Sequence, residues 1–366
     1  MASGPVGVGI IGAGVISNTY IENLNSFADI ELLAVGDLFP EVARTKAAEH
    51  SIPTGGDVDT VLQHPGVEIV VNLTIPAAHA EVAQQAIAAG KHVWNEKPLT
   101  LDLTSAKGLL DAAEASGRRV GCAPDTFLGA GLQTTFRQLQ SGVIGTPLTA
   151  LFLMQQPGPD RWHPNPAFLF QEGAGPVFDI GPYYLTALVQ MFGPVDTVAA
   201  VDSKSRETRV IMEGPKAGEE FAVTVPSQTA TLVKFASGQS LTMLLSFDSA
   251  VPRILLEVSG SEGTLLLPDP NMFDGDIQVR GMGSEEWETA EKTTALSSRG
   301  TGVLDMARAL RADRPHRAQG ALAYHVLDVM VAIAESGRRG EFVRVDSTVE
   351  PAPLLPEDWD PKAATV

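Results

Sequence analysis

Two overlapping glycine patterns lie near the start of the chain, in the stretch GVGIIGAGVIS that begins at Gly7. Gly7, Gly9 and Gly12 match the pattern G-x-G-x-x-G, whereas Gly12, Gly14 and Ser17 match it except in the last position. A pyrophosphate-binding loop needs its glycines after a strand, where the first forms the turn and the second lets phosphate approach the backbone. Because Gly7 and Gly9 fall inside an apolar run, the second pattern is the one that predicts dinucleotide binding.

A helix and an acidic residue follow this loop at the positions that a dinucleotide site requires. The helix predicted from Val15 offers free N–H groups to phosphate, and we assign Val15 and Ile16 to that site. Asp37 ends the second apolar run, 23 residues after Gly14, and is predicted to bind the adenosine ribose, with Leu38 beside it in the same site. Since the Asp37 carboxylate would repel a 2′-phosphate, NAD is favoured over NADP as the cofactor. The alternative is a glycine turn that binds no ligand.

A lysine follows the fourth apolar run, in the segment NEKP. Glu96 and Lys97 would therefore lie at the carboxyl end of a parallel strand, which is the edge where ligands bind in such sheets. Both residues are enclosed between an apolar strand and Pro98, and this favours a fixed geometry. We predict a functional role for Lys97, with a solvated surface lysine as the alternative.

Alternating strands and helices would position these residues. The predicted strands are VGVGII, IELLAVG, VEIVVNLT, KHVWNE and RVGCA, and helical patterns lie between them at residues 15–25, 40–50, 77–89 and 102–116. Strand–helix alternation with continuously apolar strands indicates a parallel sheet that is covered on both faces.

The pattern changes after about residue 145, where apolar and polar residues alternate. The stretches ATLVKFASGQSLTMLLSF and LLEVSGSEGTLLL each indicate two strands joined by a tight turn. This half is therefore predicted to be mainly antiparallel sheet, with added helices. The run LTMLLSF places Leu241, Met243, Leu245 and Phe247 on one face. We expect helices on only one side of this sheet, so that an open apolar face carrying these residues binds further copies of the chain, giving a dimer or tetramer.

Composition and charge limit the possible partners. The formal net charge of the 366 residues is −18, which disfavours nucleic acids and anionic membranes because both are polyanions. No apolar run reaches membrane-spanning length, and the start MASGPVGVGI does not resemble a signal peptide. Cys122 is the only cysteine, so no intrachain disulfide can form. These features together predict a cytoplasmic protein, and we expect its substrate to be a small molecule. No His, Asp or Glu cluster has metal-binding spacing, so no metal is predicted.

Three stretches resemble the glucose–fructose oxidoreductase / inositol dehydrogenase / MocA (Gfo/Idh/MocA) family. They are GIIGAGVIS, TIPAAHAEVAQQAIAAGKHVWNEKP and EGAGPVFDIGPYYLTALVQMFG. The resemblance implies an α/β protein, with a Rossmann domain over residues 1–123 and an α/β domain with an open, mainly antiparallel sheet over residues 124–366. It also implies hydride transfer between NAD(P) and a hydroxyl-bearing carbon of a sugar, polyol or sugar derivative. The Lys97–Pro98 peptide bond is expected to be cis.

The same resemblance assigns further residues of the cofactor site. Thr74, Pro76, His79 and Glu96 match the family segments that line the cofactor. Lys97 resembles the catalytic lysine.

Asp179 resembles the aspartate of the family motif D-x-G-x-H, and Tyr183 stands where many members have histidine. Oxidation of an alcohol requires a base, and a tyrosine with a pKa near 10 is a poor one at neutral pH. A neighbouring Lys97 ammonium would lower the pKa of Tyr183, and Asp179 could orient Lys97 or the substrate hydroxyl. Alternatively, Lys97 exchanges the proton and Tyr183 only binds substrate. For Tyr184 a core aromatic is the favoured interpretation.

Further candidates for substrate binding come from a proline-rich segment and from the end of the last Rossmann strand. Trp162 and His163, in PGPDRWHPNPAFLF, suit sugar recognition, because an aromatic face stacks on C–H groups and an imidazole binds a hydroxyl. A stiff loop with a surface histidine is the alternative. Asp125 lies just past the last Rossmann strand and could also reach substrate. Less support exists for Arg299, His316 and His325.

Two other functions remain open from the sequence. Some members of the family are glycosidases that use bound NAD transiently, and others bind NAD(P) as regulators without catalysis. Lys97 and Asp179 argue against a regulator, because a binding module has no need of them.

The Asp37 carboxylate is predicted to set the choice between NAD and NADP. Asp37→Ser removes the charge that would repel a 2′-phosphate, so the variant should discriminate less against NADP than the parent does. Steady-state kinetics with both cofactors measure the ratio of their kcat/KM values. A parent protein that already uses NADP better than NAD would contradict this interpretation of Asp37.

Overall fold

The computed structural model describes residues 3–292 and 297–366. The chain forms two compact units. The first consists of Met1–Ala130, Thr293–Leu327 and Ala352–Val366, and the second of Gly131–Lys292 and Asp328–Pro351.

The elements follow in chain order. The first strands are β1 (Val6–Ile11), β2 (Ile30–Gly36), β3 (Thr54–Gly56), β4 (Ile69–Asn72), β5 (His92–Asn95) and β6 (Val120–Cys122). The helices among and after them are α1 (Val15–Leu24), α2 (Pro40–Glu49), α3 (Val58–Leu62), α4 (His79–Ala88), α5 (Leu103–Ala115) and α6 (Ala130–Gln140). Next come β7 (Pro147–Gln155), α7 (Gly175–Asp179), α8 (Gly181–Phe192), β8 (Val195–Ser203), β9 (Thr208–Val210), β10 (Glu220–Ala222), β11 (Gln228–Phe235) and β12 (Ser240–Ser246). The last are β13 (Arg253–Gly260), β14 (Gly263–Leu266), β15 (Gln278–Gly281), β16 (Glu288–Thr289), α9 (Thr301–Arg311), α10 (Gly320–Arg339) and β17 (Val343–Arg344).

The first unit contains a parallel sheet of six strands in the order β3-β2-β1-β4-β5-β6. All residues of β1 and β4 are buried, as expected of strands covered on both faces. The strand order reverses between β1 and β4, and sheets of this kind bind ligands beyond the carboxyl ends of the strands at that point. The predicted Rossmann domain is confirmed.

The second unit contains a nine-stranded sheet in the order β16-β15-β14-β13-β7-β12-β11-β8-β17. Its neighbouring strands are antiparallel except for β7 and β12, which are parallel. The hairpins predicted at β11–β12 and β13–β14 are both present. The predicted fold class, a Rossmann domain followed by an α/β unit with a mainly antiparallel sheet, is therefore confirmed.

The apolar face predicted to be open is instead the covered one. Leu241, Met243, Leu245 and Phe247 are each at most 2% exposed. Helix α8 packs on this side of the sheet, with the ring of Tyr184 lying 6.1 Å from Phe152 and that of Phe192 lying 5.1 Å from Phe235. The period-two pattern identified the two faces correctly, but the assignment of the open face was wrong, because the larger apolar side chains form the core beneath the helices.

The opposite face of the sheet carries a second set of apolar residues. Val201, Leu232 and Phe342 are 73%, 54% and 71% exposed, and with Leu153 and Leu244 they line a shallow groove of about 510 Å³. In the part of the chain that the structure describes, no helix combines the length and apolar character needed to cross a membrane.

The end of the chain returns to the first unit. Nε of Arg308, in α9, donates a hydrogen bond to Oδ2 of Asp29 at 2.7 Å, and Cζ of Arg308 lies 4.4 Å from the centre of the Trp359 ring. The backbone N–H of Cys122, in β6, donates to the carbonyl oxygen of Ala318 at 3.1 Å. Because of these contacts, the first unit includes two later segments of the chain, whereas the sequence predicted a single division after residue 123.

Helix α9 begins at a buried carboxylate. Oδ2 of Asp125 accepts hydrogen bonds from the backbone N–H groups of Gly300 and Gly302, at 2.9 and 3.0 Å, and Asp125 has no exposed surface. Negative charge at a helix N-terminus is favourable, since the first N–H groups have no partner within the helix. This placement differs from the substrate-binding role predicted for Asp125, because the carboxylate is enclosed within the first unit.

Burial raises the pKa of Asp125 from 3.8 to about 6, with the Glu96 carboxylate acting in the same direction and Arg299 and the two N–H groups opposing it. A folded-state pKa above the unfolded value means that the folded state binds the proton more tightly. The stability that this group contributes is therefore fully present below pH 3.8 and is lost as the pH rises through about 6.

Asp125→Asn keeps an acceptor for the helix and removes the titration. Relative to the parent, the free energy of unfolding of this variant should rise by about 1 kcal/mol between pH 5 and pH 7.5. Urea unfolding at both pH values measures the change. Asp102→Asn is the matched control, since Asp102 accepts from Ser105 at the start of α5 and hydrogen bonds hold the pKa of Asp102 below its ordinary value. Equal pH dependence in Asp125→Asn and the parent would contradict the assignment.

Candidate cofactor and substrate site

The two glycine patterns serve different purposes. Gly7 and Gly9 lie within β1, where a Cβ on Gly7 would sit 1.9 Å from the carbonyl oxygen of Gly66 and a Cβ on Gly9 would sit 2.6 Å from Cγ1 of Val61. These two glycines allow the segments beside the sheet to pack closely against β1. The match to G-x-G-x-x-G that begins at Gly7 is therefore a packing feature, as predicted from its position inside a strand.

The loop after β1 fits a dinucleotide pyrophosphate. Gly12 has a φ of +105°, and a Cβ there would lie 2.6 Å from the carbonyl carbon of Leu73, so the fold itself requires glycine at this position. Gly14 has a φ of −70°, and a Cβ there would meet no atom within 4 Å. The protein's own packing does not require glycine at this position, but a ligand that approaches the backbone at the N-terminus of α1 would.

The Asp37 carboxylate is fixed beside this loop. Its Oδ2 accepts a hydrogen bond from the backbone N–H of Ala13 at 2.8 Å, and its Oδ1 accepts from that of Phe39 at 2.9 Å. Each carboxylate oxygen can accept more than one hydrogen bond, so ribose hydroxyls can still donate to this half-buried group. Asp37 thus couples the end of β2 to the glycine loop and fits the predicted role.

Exposed apolar side chains follow the carboxyl ends of three neighbouring strands. Val15, Leu38 and Ile75 come shortly after β1, β2 and β4 and are 91%, 81% and 69% exposed. Apolar groups exposed together at the ligand-binding edge of a sheet are typical of a binding groove. They fit the flat, partly apolar rings of a dinucleotide. Ile16 follows Val15 in the first turn of α1.

His79 is a buried link between two segments of the site. Its Nδ1 lies 2.7 Å from the carbonyl oxygen of Pro98, and its Nε2 lies 3.0 Å from that of Thr74. Burial lowers the pKa of His79 despite these two hydrogen bonds. The ring is 1% exposed, so within the first unit it holds the turn that begins at Pro76 against the segment that contains Lys97.

Asn72, which no sequence motif predicted, supports the same region. It is fully buried at the end of β4, where Nδ2 donates to Oδ1 of Asn95 at 2.9 Å and to the carbonyl oxygen of His79 at 3.1 Å. Its Oδ1 accepts from Oγ1 of Thr74 at 2.7 Å. The one signal in the sequence was an asparagine at the end of each of two apolar runs.

Glu96 is a buried carboxylate directly before Lys97. Its Oε2 accepts from the backbone N–H of Lys97 at 3.0 Å, and its Oε1 accepts from the hydroxyl of Tyr20 at 2.8 Å and from Nη1 of Arg299 at 3.4 Å. Tyr20 in turn accepts from Nε1 of Trp94 at 3.2 Å, and burial raises the pKa of Tyr20. No motif marked Tyr20.

Lys97 is half-buried and follows the carboxyl end of β5. The Lys97–Pro98 peptide bond is cis, as predicted, and so is the Ala123–Pro124 bond. The backbone of Lys97 is bonded to Glu96 on one side, and the carbonyl of Pro98 is bonded to His79 on the other. This arrangement agrees with the fixed geometry expected from the sequence.

In the second unit, Asp179 and Tyr183 flank the junction of two helices. Asp179 is the last residue of α7, and Tyr183 lies in the first turn of α8. Asp179 is half-buried, and Tyr183 is 6% exposed. The hydroxyl of Tyr184 donates to Oδ1 of Asp269 at 3.3 Å, and burial raises the pKa of Tyr184. Tyr184 is therefore a core aromatic, as predicted.

Trp162 and His163 lie in the proline-rich loop of the second unit. Trp162 is 59% exposed, and its ring meets that of His163 edge to face at 5.6 Å. Nδ1 of His163 accepts from the backbone N–H of Asn165 at 3.0 Å, so the proton of the neutral ring is on Nε2. This pair offers a flat apolar face and one N–H donor. Within residues 3–292 and 297–366 no group of three or more His, Cys, Asp or Glu residues is arranged to hold a metal ion.

Comparison with known proteins agrees with this architecture. Residues 6–123 match the model of an oxidoreductase family with an NAD-binding Rossmann fold, and residues 132–266 match the GFO/IDH/MocA C-terminal domain. The inositol 2-dehydrogenase/D-chiro-inositol 3-dehydrogenase of Lactiplantibacillus plantarum is 26% identical over 226 residues, which are 58% of this chain and 62% of that enzyme. The match thus spans less than two thirds of that relative.

Two solved structures share the fold over 93% of this chain and 99% of their own. An NAD-binding oxidoreductase from Klebsiella pneumoniae has a TM-score of 0.81 at 23% identity. Levoglucosan dehydrogenase, in complex with NADH and L-sorbose, has a TM-score of 0.81 at 21% identity. Since both family models match in order along the chain, the protein belongs to the Gfo/Idh/MocA family and carries its NAD-binding Rossmann domain.

Proposed function

We propose that the protein is an NAD-dependent dehydrogenase that oxidises, or in the reverse direction forms, a hydroxyl-bearing carbon of a sugar, polyol or sugar derivative. The observation that carries the proposal is the fixed position of Lys97 on the sheet edge that also bears the glycine loop and Asp37. A binding domain without catalysis needs the loop and Asp37 but no anchored lysine. An inositol dehydrogenase among the relatives and a levoglucosan dehydrogenase among the structural neighbours support the substrate class.

The residues divide into a cofactor set and a substrate set. Bound NAD supplies the hydride acceptor. The cofactor set comprises Gly12, Gly14, Val15, Ile16, Asp37, Leu38, Thr74, Pro76, His79, Glu96 and Lys97. Asp37 accounts for a preference for NAD, because its charge opposes a 2′-phosphate.

In the substrate set, Tyr183 exchanges the hydroxyl proton, Lys97 stabilises the phenolate, and Asp179 holds the reacting groups in place. Trp162 stacks on the C–H groups of the substrate, and the Nε2–H of His163 donates to a hydroxyl. Asp125 is left out of this set, since it is enclosed at the start of α9.

A panel of sugars and inositols, each with NAD and with NADP, identifies the best substrate through the appearance of reduced nicotinamide. With that substrate, Tyr183→Phe should lower kcat by about 10²–10⁴-fold, because it removes only the hydroxyl that transfers the proton. Lys97→Ala should abolish turnover while NAD still binds, because the glycine loop and Asp37 are unchanged.

Tyr184→Phe is the matched control. It removes the hydroxyl of the neighbouring tyrosine, which packs in the core and bonds Asp269. It should retain kcat. A Tyr183→Phe variant with a raised KM and an unchanged kcat would show that Lys97 exchanges the proton instead. Release of a sugar without reduced nicotinamide would identify a glycosidase and contradict the proposed dehydrogenase.

We also propose that the protein forms a dimer or tetramer through the open face of the nine-stranded sheet. Its support is the patch of exposed apolar residues that includes Val201, Leu232 and Phe342, since an exposed patch of this kind is typical of an interface. Leu232→Glu should shift the mass measured by light scattering toward that of a monomer. Val251→Glu is the control, as Val251 is 70% exposed but lies in a loop. A monomeric parent at micromolar concentration would contradict the proposal.

A further inference from the structure

A single buried arginine lies at the base of the proline-rich loop in the second unit. Arg209, in β9, is 4% exposed. Its Nη1 donates to the carbonyl oxygen of Pro157 at 2.9 Å and to Oδ1 of Asp160 at 2.5 Å. Its Nη2 donates to the carbonyl oxygen of Phe247 at 2.6 Å and also to Oδ1 of Asp248. The guanidinium therefore binds four acceptors from two segments that are distant in sequence.

The same guanidinium contacts the other end of the loop. Cζ of Arg209 lies 4.8 Å from the centre of the Phe170 ring, a cation–π distance. The carbonyl oxygen of Phe170 also accepts from the backbone N–H of Thr224, just beyond β10. Arg209 thus holds both ends of the loop that runs from Pro157 to Phe170. Trp162 and His163 project between the two anchored ends.

The backbone makes room for this contact. Gly158 has a φ of +116°, and a Cβ there would lie 2.3 Å from Nη1 of Arg209 and 2.4 Å from Oδ1 of Asp160. The segment between β9 and β10 then lies on the loop, because the backbone N–H of Met212 donates to the carbonyl oxygen of Asp160 at 2.9 Å. Within the second unit, the loop and the β9–β10 hairpin pack together.

Burial of these charges favours one geometry. The side chains of Arg209, Asp160 and Asp248 are 2%, 8% and 10% exposed. Buried ion pairs often add little net stability, because desolvation offsets their attraction, but a partner moved out of place leaves a charge unpaired. A cluster of this kind suits a loop that must hold one conformation. The planar guanidinium matters, since the point charge of a lysine cannot reach four acceptors at once.

We propose that Arg209 is a positioning residue for substrate recognition: it fixes the loop that presents Trp162 and His163, and so sets the affinity for the substrate. This inference rests on the proposed function, in which those two residues bind a sugar or polyol. It assigns Arg209 no contact with substrate or cofactor.

Two variants disturb the anchor in different ways. Arg209→Lys keeps the positive charge but loses the planar guanidinium that bonds four acceptors. Gly158→Ala displaces the guanidinium without changing any charge. Both should raise KM for the best substrate by roughly 10- to 100-fold, with kcat and the Kd for NAD nearly unchanged, because only the recognition loop loses its geometry. Hydrogen exchange of the amides of residues 161–168 should become faster in both variants.

Gly218→Ala is the matched control, since Gly218 has a φ of +93° in the same hairpin but a Cβ there would meet no atom within 4 Å. It should leave KM and loop exchange as in the parent. Faster loop exchange with an unchanged KM would overturn the inference, and so would a joint loss of kcat and NAD binding. Hydrogen exchange needs no substrate, so the two proposals can fail separately. Absence of turnover in the parent would contradict the proposed function. Unchanged loop exchange in Arg209→Lys would contradict the role of Arg209 as an anchor.

Discussion

The cost of burying one carboxylate, that of Glu96, constrains the first unit around Lys97. An unpaired carboxylate in a protein interior is strongly destabilising, so Glu96 must be met by donors. Tyr20 supplies one from α1, Lys97 supplies its own backbone N–H, and Arg299 supplies a third from the segment before α9. The donors come from three parts of the chain, and each part is thereby held against the end of β5.

The second unit uses the opposite arrangement, in which one buried cation lies between two carboxylates. Arg209 anchors a loop that has little regular structure of its own, whereas Glu96 anchors the end of a strand. In both units the charged anchor is buried, and the residues proposed to meet a ligand lie on the segment that the anchor holds in place. Positioning is therefore separated from chemistry, and the reactive side chain does not have to stabilise its own backbone.

The sequence predicted what depends on local order and missed what depends on distant contacts. Gly14 and Asp37 could be identified because strand, turn, helix and acid follow one another along the chain. Leu241 and its neighbours were assigned to the wrong side, since a period of two defines the faces of a sheet but not which one the helices cover. Tyr20 and Arg299 lie 76 and 203 positions from Glu96, and no local pattern connects them to it.

The return of the chain end to the first unit has a consequence for synthesis on the ribosome. Gly302, in α9, packs so closely on the ring of Trp94 that a Cβ there would lie 2.0 Å from it. Trp94 is in β5, and all six strands of the parallel sheet are synthesised long before α9, the helix that covers Trp94. At typical rates of elongation, the interval between the two is on the order of tens of seconds. During that time the nascent chain exposes an apolar surface, and the first unit reaches its final structure only after the second unit has been synthesised.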